Sequence, residues 1–233
     1  MTDYLPIPFI VGMPRAGKTL LRMMLDSHPE MAIPPDTHFL PLVFQMQAYG
    51  SSARSRFLET LTHFYTWNDF HLDEEHFAHE VSLINPFNSA DAVRTFYKLY
   101  ARRFEKQRWG DKTPEYGYSM QAIHSLLPEA HFIHVLRDGR DNAVSQKSSY
   151  MWRFDGVTDH AREWRRRLWE YRRQARQSGA PYLEIRFEDL VTSTEAVLRK
   201  VCAFINLPWR DEMTTYYERS EERFEVGRFR LSP

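Results

Sequence analysis

An α/β fold, a parallel sheet flanked by helices, is the class this 233-residue chain predicts, and three observations predict it. Short apolar runs rich in β-branched and aromatic residues alternate with stretches whose apolar residues recur at helical spacing. The first run ends in "GMPRAGKT", residues 12–19, which satisfies the pattern G-x-x-x-x-G-K-[ST] of a phosphate-binding loop. Between residues 38 and 108 the text turns helical and aromatic. That stretch reads as a helical insertion over the carboxyl edge of the sheet, the edge at which such folds bind ligands.

Each element follows from its own pattern. "YLPIPFIVG" is a strand, and "TLLRMMLDSH" after the loop is a helix. "SRFLETLTHFYTW" and "DAVRTFYKLYARRF" are helices of the insertion. "AHFIHVLRDGRDNAVSQKSS" repeats the grammar of strand, turn and helix, the helix starting at about Asp138. In "TDHAREWRRRLWEYRRQARQ", Trp164, Leu168, Tyr171 and Ala175 form one helical stripe for the core, and seven arginines occupy the solvated faces. "PYLEIRFEDL" is a third strand, on which Glu188 and Asp189 point to opposite faces and serve as helix-start and ion-pair positions. "LRKVCAFINLP" buries Cys202 as a structural thiol, and a single cysteine excludes an intrachain disulfide.

Composition bounds the function. A chain of this length with 42% hydrophobic residues can bury a core as one domain, residues 1–233. Thirty-one basic residues balance thirty-one acidic ones, so nucleic acid is not an expected partner and any anion site is local. The chain lacks a run of roughly 18 apolar residues, so no membrane insertion is expected and a soluble, cytoplasmic protein is. Ten scattered histidines without an H-E-x-x-H or a cysteine pair predict no metal site. The sequence leaves oligomeric state open.

The loop carries the chemistry. A glycine turn between strand and helix presents backbone N–H groups and the positive end of the helix dipole to an anion. Gly12 and Gly17 permit the tight turn, Arg15 and Lys18 add charge, and Thr19 adds a hydroxyl. A triphosphate enzyme also needs a carboxylate for magnesium, and only Asp138, preceded by Arg137, or Asp111 offers one. Arg137 and Ser145, eight residues apart at a strand end and two turns into the next helix, can instead converge on a second anion.

"PRAGKT" and that Arg–Ser spacing resemble the sulfotransferases that use 3′-phosphoadenosine 5′-phosphosulfate (PAPS). The likeness extends through "PFIVGMPRAGKTLLRMMLDSHPEMAIPPDTHFL", "RWGDKTPEYG", "HFIHVLRDGRDNAVSQ" and "LEIRFEDLV", in the family's order. It is greatest to the bacterial branch, which is similar to the protein-tyrosine and carbohydrate sulfotransferases. The resemblance implies that Arg15, Ala16, Gly17, Lys18 and Thr19 bind the 5′-phosphosulfate, and that Arg137 and Ser145 bind the 3′-phosphate. It also implies that Gly227 and Arg228 of the tail close over the nucleotide's 3′ side; a frayed basic tail is the alternative. Ala16 and Lys18 stand where the family usually has Ser or Thr.

The family's general base is a glutamate, and "PPDTHFL" places Asp36 there, one methylene shorter. His38 is the alternative base, since an imidazole titrates near neutral pH. Asp36 also reads as the N-cap of a helix starting near Thr37. Arg15 and Lys112 are the resemblance's choices for stabilising charge on the bridging oxygen during in-line displacement; an ion pair between Lys112 and Asp111 is the structural alternative. The acceptor supplies a hydroxyl, or less readily an amine, on a small molecule, sugar, lipid or peptide. Phe57, Phe64, Tyr65, Trp67 and Phe70 are read as core in preference to an acceptor pocket. Two other functions remain open: a magnesium-dependent P-loop kinase or NTPase, and a nucleotide-binding relative without catalysis.

Overall fold

A computed structural model of the chain describes residues 4–149 and 152–219. Strand β1 (Ile7–Val11) is buried throughout and leads through the glycine loop into helix α1 (Lys18–Asp26). Strand β2 (Met31–Ala32) follows, and the chain then leaves the sheet for helices α2 (Leu40–Val43), α3 (Ala53–Thr62), α4 (Glu74–Ser82) and α5 (Ser89–Arg102). It returns at β3 (Arg108–Trp109), passes through α6 (Met120–Leu126) into β4 (Ala130–Leu136), and continues as α7 (Gly139–Lys147) and α8 (Val157–Ser178). Strand β5 (Tyr182–Arg186) and helices α9 (Phe187–Thr192) and α10 (Thr194–Phe204) complete the regular elements.

All strand pairs are parallel. β4 lies between β1 and β5, with Ile7 opposite Ala130 and Phe132 opposite Tyr182. β2 pairs with β3, Met31 opposite Arg108. A bridge between Phe9 and Asp111 joins the two sets, with Ile10 N donating to Asp111 O at 2.8 Å and Asp111 N to Pro8 O at 2.9 Å. The order across the molecule is therefore β2-β3-β1-β4-β5, and every strand ends at the same edge.

Alternation along the strands builds two cores. Phe9, Val11 and Phe132 face the insertion's Phe39, Phe57, Trp67, Phe70, Phe77 and Phe96, together with Tyr171 of α8. Ile10, Ile133, Val135 and Ile185 face Leu21 and Leu25 of α1 and Leu198 and Val201 of α10. Burial pushes the Cys202 thiol up to about 11, as befits a structural side chain. On α8, Tyr171 and Ala175 are buried. Arg162, Arg166, Arg167, Arg172 and Arg173 each meet a carboxylate, so that face is an ion-paired surface.

Three local expectations change. β2 and β3 were not predicted, because two-residue strands carry no periodicity to detect. The helix after "PPDT" begins at Leu40 with Phe39 at its N-cap, so Asp36 caps nothing. Strand β5 stops at Arg186, which puts Glu188 and Asp189 in the first turn of α9; the helix-start assignment stands and the opposite-face argument does not apply. Among the described residues, no helix is long and apolar enough to cross a membrane.

Candidate functional site

The glycine loop lies against β4 and α9 at the carboxyl edge. Gly12 has φ of +151°, and a Cβ there would sit 2.6 Å from the Val135 carbonyl oxygen. Gly17 has φ of +95°, and its Cβ would sit 2.2 Å from the Phe187 ring. Only glycine fits either place. Gly17 is the N-cap of α1 and supplies no side-chain cap, so the helix's first N–H groups are left for an anion.

Arg15 and Thr19 are exposed at this end, whereas Ala16 and Lys18 are buried. The Lys18 ammonium folds back to donate to the Met13 carbonyl oxygen. Its burial, then the neighbouring Lys112 ammonium, push its pKa down to about 7, against the opposing pull of Asp36 and Glu115.

A second group gathers beside the loop. Arg137 follows the last residue of β4, and Ser145 lies in α7, whose N-cap Asp138 accepts from Arg140 N at 2.9 Å. Arg15 Nε donates to Ser145 Oγ at 3.3 Å, and Arg137 donates to the Arg15 carbonyl oxygen at 3.0 Å. The Arg137 guanidinium rests 4.6 Å from the centre of the Phe187 ring and keeps a buried Nε–H without a partner. A buried donor left unmade is costly, so this one fits an anionic ligand.

The structure thus brings Arg15, Arg137 and Ser145 together. The Arg15 side chain turns toward Ser145 rather than toward Asp36 and Lys112. Gly227 and Arg228 lie outside the described residues.

On the other side of Lys18, Lys112 donates to Asp36 Oδ1, a pair spanning the ends of β2 and β3. The alternative pairing of Lys112 with Asp111 is not adopted. Asp111 is instead buried, with Oδ2 accepting from Thr37 Oγ1 and from Tyr97 OH, each at 2.7 Å. Tyr116 OH donates to Thr37 Oγ1 at 2.7 Å, and Thr37 N donates to Thr113 Oγ1 at 2.9 Å. Burial raises the Asp111 pKa to about 6 against these hydrogen bonds. The neighbours of Asp36 and Lys112 are in this way cross-linked beneath them.

His38, in a left-handed conformation at φ of +57°, places Nε2 3.9 Å from Asp36 Oδ2 and Nδ1 3.6 Å from Glu115 Oε2. Phe57, Trp67 and Phe70 are core, Phe64 packs against it partly buried, and Tyr65 is exposed beside His38.

Sequence reasoning missed several of these partners. Asn142 Nδ2 and Gln146 Nε2 both donate to the Pro14 carbonyl oxygen, at 2.9 and 3.3 Å, tying α7 to the loop. Their four-residue spacing on a helix was the available signal. Phe187, which packs on Gly17 and Arg137, was visible only as part of "RFEDL". Glu115 reaches the site through contacts distant in sequence, and nothing local marks it; Tyr65, read as core, is instead exposed, because its ring turns out from the insertion onto His38.

The sulfotransferase family model matches residues 6–211. Protein-tyrosine sulfotransferase 1 of Danio rerio is 26% identical over 221 residues, covering 92% of this chain and 57% of that protein. Nodulation protein NoeE of Sinorhizobium fredii (strain NBRC 101917 / NGR234) is 31% identical over 157 residues, covering 64% of this chain and 33% of that one. Among solved structures, the sulfotransferase domain of the Synechococcus PCC 7002 olefin synthase superposes with a TM-score of 0.58 at 24% identity, covering 92% of this chain and 79% of that one. The sulfotransferase domain of the curacin biosynthetic pathway superposes with a TM-score of 0.60 at 21% identity, covering 93% and 79%. The chain spans about half the length of the protein-tyrosine sulfotransferases it matches.

Proposed function

The chain belongs to the sulfotransferase family, and from that premise we propose that it binds PAPS at the glycine loop and moves the sulfuryl group to an acceptor hydroxyl, or less readily an amine. The observation that carries this reading is the meeting of Arg15, Arg137 and Ser145 beside the loop, with the Arg137 Nε–H buried and unpartnered. A nucleotide with phosphate at both its 5′ and 3′ positions needs cations at two places. The loop and this group supply them.

The donor, when bound, supplies an activated sulfuryl group. Arg15, Ala16, Gly17, Lys18 and Thr19 would hold the 5′-phosphosulfate and Arg137 and Ser145 the 3′-phosphate, with Gly227 and Arg228 of the tail as further candidates. Lys112 fixes Oδ1 of Asp36 and leaves Oδ2 toward His38. Asp36 therefore accepts the acceptor's proton at Oδ2, and His38 is the alternative base. In this reading Lys112, joined by Lys18 in its protonated form, would stabilise the negative charge that grows on the transferring group, since fixed cations there lower the barrier. Arg15 serves the donor's binding first, given where its side chain points.

The acceptor is a small molecule, a sugar, a lipid or a peptide. The magnesium-dependent reading loses support at Asp138, whose carboxylate is engaged as the cap of α7 and by the Arg140 guanidinium at 2.8 Å.

The test is turnover. Wild-type protein should release 3′-phosphoadenosine 5′-phosphate (PAP) from PAPS in the presence of hydroxylated acceptors without added metal. Asp36→Asn should slow it by about 10²–10⁴-fold with PAP affinity retained. Unchanged turnover in that variant would remove Asp36 from the reaction and pass the role to His38.

A further inference from the structure

The acceptor side of the site has a built surface that the donor reading does not use. Tyr65 lies between α3 and the helical turn at Trp67–Phe70, where the neighbouring rings of Trp67 and Phe70 are buried. Tyr65 is 61% exposed. Its ring stacks on that of His38, with centroids 6.0 Å apart and planes 29° apart, and is backed by Phe64 at 4.6 Å. An exposed aromatic held from behind and set beside a candidate base is a ready platform for a second ring.

Ammonium and carboxylate groups meet beside this surface. The ammonium groups of Lys18 and Lys112 are engaged with Met13 O and Asp36, on the loop side. The Tyr65 side carries carboxylates: Glu115, 54% exposed and 3.6 Å from His38, with Asp36 beyond it. Partial burial, then the charges of Glu115, Asp36 and Asp69, raise the Tyr65 phenol above its ordinary range. Asp36 is thus held by Lys112, while Glu115, half exposed beside His38, is the carboxylate open to a ligand on the Tyr65 side.

We propose that Tyr65, His38 and Glu115 form the acceptor subsite, and that it selects a hydroxylated ring bearing a positive charge, such as a phenolic amine, over one bearing a carboxylate. The ring stacks on Tyr65, its cationic substituent meets Glu115, and its hydroxyl is brought to Asp36. This inference rests on the sulfotransferase reading for the donor half of the site.

The experiment is calorimetric binding of three ring ligands to the full chain saturated with PAP: tyramine, 4-methylphenol and 4-hydroxyphenylacetate. The affinity for PAP itself is measured first in every variant. Tyramine should bind roughly ten-fold more tightly than 4-hydroxyphenylacetate. Tyr65→Ala should weaken all three ring ligands by about 3- to 30-fold while PAP affinity holds, and Tyr65→Phe should restore them. Glu115→Gln should abolish the preference for the amine and leave 4-methylphenol unchanged.

Equal or tighter binding of the carboxylate ligand, ring binding indifferent to Tyr65→Ala, or no ring binding to a protein that does bind PAP would each overturn the acceptor proposal alone. A wild-type protein that fails to bind PAP overturns the donor reading, and this proposal with it.

Discussion

Lys18 shows most clearly what a single buried charge does to the site. Where the resemblance leads one to expect a hydroxyl, the chain buries an ammonium whose pKa falls to about 7, chiefly through desolvation. In the unfolded chain a lysine titrates near 10.5, so between about 7 and 10.5 the unfolded state holds more protons. The stability contributed by this group therefore rises with pH across that window. An anion in the loop favours the charged form and acts in the opposite sense: binding above pH 7 should draw in a proton. We expect PAP affinity to fall by up to about ten-fold per pH unit above 7. Titrations in buffers of different ionisation enthalpy should report uptake approaching one proton at pH 8, and Lys18→Thr should flatten both effects. Pattern matching identified Lys18 as a loop lysine, but part of its lowered pKa comes from Lys112, which arrives after a distant strand and which the loop's own residues do not record.

Among the elements, β1, β4, β5, the helices after β1 and β4, and α8 itself were legible because each is long enough to show its pattern, although of the stripe expected on α8 only Tyr171 and Ala175 are buried and Trp164 and Leu168 are half-buried. β2 and β3 were not, and they matter most to the candidate catalytic pair, since Asp36 follows one and Lys112 the other. Thr37 and Asp111, next to those two residues, are joined by a 2.7 Å hydrogen bond, and Tyr97, Tyr116 and Thr113 complete the buried network. Thr37→Val keeps the shape and removes the hydroxyl, leaving buried partners unsatisfied at a cost of about 1–3 kcal/mol. A thermal melt should show a loss of roughly 2–4 °C for each kcal/mol. Turnover should fall by more than the fraction unfolded explains, because the strand ends that hold Asp36 and Lys112 lose their cross-link. A variant with the wild-type melting temperature and turnover would mean that the network holds neither.

At the scale of the whole molecule, five parallel strands ending on one edge bring together residues more than a hundred positions apart in sequence: the glycine loop of β1, Asp36 after β2, Lys112 after β3 and Arg137 after β4. Sequence reading located the loop, the Arg137–Ser145 spacing and the candidate base. It read Tyr65 as core and did not single out Glu115, because the two meet His38 only where the insertion folds back toward the turn that follows β3. The central claim, that this edge is built for a nucleotide phosphorylated at both ends, is tested most directly by calorimetric titration with PAP beside ADP and ATP, with and without magnesium. The account predicts metal-independent binding of PAP that weakens when the 3′-phosphate is missing, by about 1.5–3 kcal/mol for each charged hydrogen bond lost, and that is lost in Arg137→Ala. Preference for ATP with magnesium, or PAP binding indifferent to Arg137, would contradict it.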